Sequence, residues 1–174
     1  MPDRDQLRRV PLFSRLPPME VDVLAATLPA SAYGGGALLF REGDPGDRLY
    51  LVMEGEVEVV KALGSAEERV LNVFGPGAML GEMSLLSPGE TRSAGARARG
   101  NVEVVTMTRE DFETLLRRYP ALFFDVLRVL AERLREADNA LIRDLHAKNE
   151  ELARAYAELQ AAHDEMLREG GARP

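Results

Sequence analysis

Between Pro120 and Gly170 the chain runs for 49 residues without a proline or a glycine. Nothing in that run interrupts a helix, and at 1.5 Å per residue it is expected to form one rod roughly 75 Å long. A compact domain within 174 residues has no internal use for such a rod. The chain therefore reads as a globular head followed by a helical extension.

The apolar residues of the rod follow two registers. Leu127, Leu130, Leu134, Ala137 and Leu141 keep a 3-4 spacing, whereas Leu145, Leu152, Leu159 and Met166 recur every seven residues, with Ile142, Asn149, Tyr156 and His163 three positions before each. The registers differ by one residue near Leu141. A seven-residue ladder is the pattern of a coiled coil, and a lone Asn at an a position commonly fixes a parallel dimer. Ala153, Ala155 and Ala162 flank the seam in place of opposite charges, which widens the stripe and leaves a four-helix assembly open.

The first two-thirds has another rhythm. Leu7, Val10, Leu12 and Leu16 precede Pro17-Pro18, and Val21, Leu24, Ala25 and Leu28 follow it at helical spacing. From Ser31 to Thr108 the period falls to two, as in Leu49-Leu51-Met53, Val57-Val59 and Val102-Val104. Turn signals punctuate these runs at Gly34-Gly35-Gly36, Gly43-Asp44-Pro45-Gly46, Glu54-Gly55, Gly75-Pro76-Gly77 and Pro88-Gly89. Short strands at this spacing form a sandwich or a barrel. A short helix over Arg109 to Arg118 follows, and Pro120 suits the first turn of the long one. Tyr33, Tyr50, Phe74, Phe112, Phe123 and Phe124 read as core.

Composition removes several function classes. A net charge of -7 gives no general attraction to a nucleic acid backbone, which is held by clustered Lys and Arg. The absence of cysteine excludes disulfides, thiolate metal sites and cysteine nucleophiles. The two histidines, His146 and His163, both fall on the rod and are too far apart to share a metal on consecutive turns. No Ser in the head has a His base, so no catalytic group and no metal is expected. MPDRDQLRRV lacks the apolar core of a signal peptide, and no apolar run reaches membrane-spanning length, so a cytoplasmic protein without membrane contact is expected.

One stretch concentrates chemistry. GEMSLLSPGETRSA, residues 81 to 94, sets a carboxylate after a glycine and an arginine ten positions later around a short apolar turn. Gly81 permits close backbone approach, a short helix from Glu82 would aim N–H groups at an anion, and Arg92 offers a planar fork matched to phosphate oxygens. Ser93 adds a hydroxyl donor. Taken alone, the same residues would also suit an ordinary surface loop.

The order of motifs in FREGDPGDRLYLVMEGEVEVV and then FGPGAMLGEMSLLSPGETRSA closely resembles the cyclic-nucleotide-binding domain of the catabolite activator family, over roughly residues 6 to 142. The resemblance implies a mainly β plus α fold: an antiparallel β-roll of the jelly-roll type, a double-stranded β-helix, with flanking helices and here a long C-terminal coiled-coil helix. It makes EGE the turn of a hairpin. It implies that residues 81 to 94 are a phosphate-binding cassette, with Gly81, Glu82, Met83 and Ser84 at its start and Arg92 and Ser93 closing it. In that family Glu82 would accept from the ribose 2′-hydroxyl, so carboxylate and guanidinium would address opposite ends of one cyclic ribose phosphate. The long-helix hydroxyls that reach the adenine amino group in the activator align with Ala137 and Asp138. Asp138 accepts only when ionised, which would suit adenine or guanine donors or simply solvent. The Ser93 pattern favours cAMP as ligand, with cGMP close behind.

The family's transcription factors continue into a winged helix-turn-helix domain, whereas the residues after Asp138 carry no second helix signal; no nucleic acid partner is expected. The segments are read as residues 1-119, helical lead-in and β-roll; 120-142, pocket-covering helix and dimer contact; 143-169, coiled-coil extension; and 170-174, disordered tail. The reading is then a cyclic nucleotide sensor, not an enzyme, assembled as a parallel homodimer, with a helical protein as a further partner on the coil. The competing class is a constitutive dimerisation or docking scaffold whose roll binds no ligand. The register break near Leu141 would be a phase switch in the first class and a harmless skip in either.

Overall fold

The structure, a computed structural model, describes residues 2–87 and 89–170. The tail expected to be disordered lies, beyond Gly170, outside the described residues, as does Pro88 of the Pro-Gly signal. The chain divides into two units, residues 1–126 and 127–174.

The first unit opens with helix α1 (Arg4–Arg9), capped by Asp3 in a box with Gln6, then a 3-10 turn over Pro11–Phe13 and helix α2 (Pro18–Thr27). Pro17-Pro18 breaks the lead-in where the sequence predicts it, because a proline cannot donate the next helical bond. Six strands follow: β1 (Ala30–Tyr33), β2 (Leu38–Phe40), β3 (Arg48–Lys61), β4 (Arg69–Phe74), β5 (Met79–Leu80) and β6 (Gly95–Thr108). Every pairing is antiparallel, in the order β1-β6-β3-β4, with β2 on β6 and β5 on β3. Helix α3 (Glu82–Leu86) sits between β5 and β6, and α4 (Arg109–Arg118) follows β6 behind a Thr108 cap.

Two 14-residue strands, β3 and β6, carry the architecture. Their side chains separate by face: Tyr50, Val52, Val57, Ala96, Ala98, Val102 and Val104 join Leu39 and Leu80 in one interior cluster. Leu49, Leu51, Val105 and Met107 alternate with these and are buried as well. Burial from Leu49 to Met53 is therefore continuous, and the period-two reading captures only half of it.

The EGE segment is not a hairpin turn, as the resemblance implied. β3 continues without reversal through Glu54-Gly55-Glu56, with its register against β6 shifting on either side of Glu54. Gly55 has φ +78°, and a Cβ there would meet the Asn101 carbonyl oxygen at 2.2 Å. The left-handed glycine bends a continuous strand by a bulge instead of reversing it.

Helix α5 runs from Leu122 to Gly170, two residues later at its start than Pro120, which stays in the preceding turn and accepts from the Phe123 N–H. Leu122 and Val126 are buried in the first unit, whereas Phe123 and Phe124 are exposed, so those two aromatics are not core. In the second unit none of residues 127–163 is buried, and Leu134, Leu141, Ile142, Leu145, Leu152, Tyr156, Leu159 and Met166 all stand exposed. Among the described residues no helix is long and apolar enough to cross a membrane.

Candidate functional site

The chain reaches the cassette from β5. Gly81 caps α3 with φ +84°, a conformation that costs an L residue about 1–2 kcal/mol. A Cβ there would stand 2.0 Å from Nη1 of Arg92 and 3.2 Å from the carbonyl oxygen of Arg48. Glycine is thus required twice, by the backbone angle and by the guanidinium lying against it. α3 then buries Glu82 and Ser84 while Met83 faces out.

Arg92 returns on the segment before β6, and a loop over residues 41–47 holds it there. Its N–H donates to the Asp44 carbonyl at 2.8 Å, and its own carbonyl accepts from the Gly43 N–H at 2.9 Å. Asp44 is set by the Arg41 N–H, which donates to its carboxylate at 2.7 Å, and Pro45 bridges to Thr91. Gly46 packs so closely on α3 that a Cβ would meet the Ser84 Cβ at 2.1 Å. The EGDPGD signal therefore builds the wall against which the cassette closes.

The Arg92 side chain is 3% exposed. Nη1 donates to the Gly81 carbonyl at 3.0 Å and Nη2 to the Arg48 carbonyl at 2.6 Å. The guanidinium lies 4.5 Å from the Phe40 ring centre and 5.7 Å from that of Tyr50, whose hydroxyl donates to the Leu39 carbonyl. Its buried Nε has no hydrogen-bond partner. Burial pushes the guanidinium below the ordinary arginine range, opposed by Tyr50, Asp47 and Glu82. It nevertheless remains a cation, because a guanidinium does not deprotonate in a protein. Carbonyl dipoles and aromatic faces relieve part of its desolvation, and an anion would relieve more.

At the far end Ser93 is exposed, and its carbonyl accepts from Lys61 at 2.9 Å, with Lys61 also paired to Glu42 at 2.5 Å. That pairing, with the Ala62 N–H, holds the Glu42 carboxyl below its usual range. The Ser84 hydroxyl donates to the Thr91 carbonyl at 3.2 Å, which leaves its backbone N–H as the group it can offer a ligand. Glu82, Ser84 and Arg92 are thus buried with the half-buried Gly81 between α3 and the guanidinium, while Met83 and Ser93 are exposed. Asp138 belongs to the second unit, exposed on α5. Among the described residues no cluster of acidic and histidine side chains could hold a metal.

Sequence reasoning missed the aromatic floor of Phe40 and Tyr50, the Arg48 carbonyl, and Arg109, whose fork reaches α3. Arg97 and Arg99 pair with carboxylates on the sheet. Arg97 donates from Nε and Nη2 to Glu58 and from Nη1 to Glu68, and Arg99 pairs with Glu56. Glu58 lies directly across the ladder from Arg97, and Glu56 from Arg99.

Residues 31–119 match the family model described as the cyclic nucleotide-binding domain. The chain is 42% identical over 161 residues to the cyclic AMP receptor protein of Thermus thermophilus, covering 92% of this chain and 71% of that one. It is 33% identical over 135 residues to a CRP-like cAMP-activated global transcriptional regulator of Mycobacterium tuberculosis, covering 78% of this chain and 60% of that one. In structure it is similar to the Thermus thermophilus catabolite activator protein, with a TM-score of 0.65 at 42% identity over 75% of this chain and 61% of that one.

Proposed function

The chain belongs to the cyclic nucleotide-binding domain family, as a regulatory domain related to the cyclic AMP receptor protein and not an enzyme, and from that premise we propose that it is a cAMP sensor. One observation carries the ligand reading: Arg92 is a buried guanidinium whose Nε has no hydrogen-bond partner and whose other nitrogens donate to main-chain carbonyls. A cation held so is costly until an anion meets it, and a phosphate oxygen supplies both the charge and the acceptor. The donor set fits a cyclic phosphate. Arg92 and the Ser93 hydroxyl would hold the phosphate with the cassette amides, while Glu82, buried on the same turn, would accept from the ribose 2′-hydroxyl.

The preference for cAMP over cGMP rests on the Ser93 pattern and on the names of the relatives. Calorimetric titration with each nucleotide tests it. Micromolar or tighter binding of cAMP, weaker binding of cGMP, is the expected result. Heat from neither, in protein shown by mass spectrometry to carry no nucleotide, would leave the docking-scaffold reading in its place.

The output is proposed to leave through α5, and the protein to be a parallel homodimer. Support comes from the exposed Leu145, Leu152, Leu159 and Met166 ladder, which in a lone helix would keep its whole apolar stripe in water. A chain ending after Leu141 should keep a folded β-roll and sediment as a smaller or weaker oligomer than the full chain. Equal sedimentation of the two would remove the coil as the assembly element.

A further inference from the structure

Arg109 occupies the first position of α4, where the positive end of the helix dipole disfavours a cation. Its neighbours Glu110 and Asp111 are what that position favours. The side chain does its bonding elsewhere. Nη2 donates to the Ser84 carbonyl at 2.8 Å and to the Gly46 carbonyl at 2.8 Å, and Nη1 donates to the Leu85 carbonyl. Ser84 and Leu85 belong to the last turn of α3, where the carbonyls have no intrahelical partner and a cation is favoured. Misplaced for its own helix, Arg109 caps another.

α3 needs such a partner. A helix of five residues is too short to hold itself, since nucleation is unfavourable and only one turn's bonds follow it. Within α3 the closing bond is the Ser87 N–H to the Met83 carbonyl. The third carbonyl, of Gly46, belongs to the loop that pairs with Arg92 and packs on Ser84. One guanidinium therefore ties both walls of the cassette to the start of α4.

We propose that Arg109 is a positioning residue for ligand binding: its fork fixes α3 against the 41–47 loop, and so sets Glu82 and the Ser84 amide relative to Arg92. This rests on the nucleotide reading above. Arg109 need not touch ligand to do this, so its loss should degrade the end of the site that α3 carries more than the end Arg92 holds.

The test compares wild-type protein with Arg109→Met and Arg109→Lys. Without ligand, hydrogen exchange at the Ser87 amide should quicken in Arg109→Met. By calorimetry cAMP should bind roughly ten- to a hundred-fold more weakly to that variant, and the preference for cAMP over 2′-deoxy-cAMP should shrink. Arg109→Lys should recover part of each, since a point charge can serve one or two of the carbonyls but not the whole fork. Unchanged exchange at Ser87, unchanged affinity, or weaker affinity with an intact 2′-deoxy preference would each overturn the positioning role. The last of these would mark general destabilisation. Wild-type protein that takes up neither cAMP nor cGMP would overturn the nucleotide reading itself, and the positioning role with it, even with exchange at Ser87 still responding.

Discussion

Arg92 and Arg97 stand five residues apart, yet the protein treats their charges in opposite ways. Arg97 faces carboxylates, Glu58 across the ladder at 2.8 Å and Glu68 at 2.8 Å, with every partner only partly exposed. Arg92 is more deeply buried, donates to two main-chain carbonyls and lies against two aromatic rings. A guanidinium already neutralised by its own chain has nothing left to recruit. One that is buried and uncompensated has its strongest acceptor still to come. Under the proposed function, the contrast is that between a structural charge and a binding charge.

The largest expected effect breaks the contrast at Arg92. Arg92→Ala should cost roughly 2 to 4 kcal/mol of cAMP binding, because a charge-assisted pair with phosphate is lost. Folding stability without ligand should change less, since the variant also removes a desolvated charge. Calorimetry and thermal unfolding on the same samples check both halves; unchanged affinity would end the cassette assignment. Gly81→Ala ranks next. The new Cβ forces an L residue to φ +84° and displaces Arg92, so about 1 to 2 kcal/mol of stability should go, with weaker binding. An alanine variant with wild-type unfolding and binding would show that the Gly81–Arg92 contact is not needed.

Arg92, Glu82 and Gly81 are close in sequence, but their spacing alone suits a surface loop as well; the order of the surrounding motifs, through the family resemblance, is what makes the phosphate reading legible. The floor beneath the guanidinium is not legible in that way, because Phe40 and Tyr50 come from strands whose arrival depends on the whole sheet. Gly55 shows a different limit. A glycine with positive φ serves a turn or a bulge equally well, and only the pairing of Glu54 and Glu56 with β6 decides between them. The long helix is readable to within two residues of its start, since its extent depends on the local absence of breakers. Phe123 and Phe124 are misread as core because an aromatic signals burial of some kind without naming what covers it. Arg109 leaves one faint trace, a cation at the wrong end of its helix.

The smallest effect sharpens the contrast from the other side. Glu58→Gln removes the carboxylate whose Oε2 accepts from both Nε and Nη2 of Arg97 while leaving Glu68 in place, and cAMP affinity should stay within about two-fold of wild type. Any cost should appear in folding and shrink as salt rises, because these groups are reached by solvent and are screened. The pH dependence follows from Glu68, whose carboxyl is held below its usual range first by the Gly64 N–H and then by Arg97. A carboxyl depressed in the folded state binds fewer protons there than in the unfolded chain. Its stabilisation is therefore present at neutral pH and lost as the pH falls through the folded value. Unfolding scans between neutral and acid pH should show that loss in wild type and less of it in Arg97→Gln. If Glu58→Gln instead weakened nucleotide binding as Arg92→Ala does, the two arginines would form one electrostatic system, and the distinction between a matched and an unmatched guanidinium would no longer locate the site.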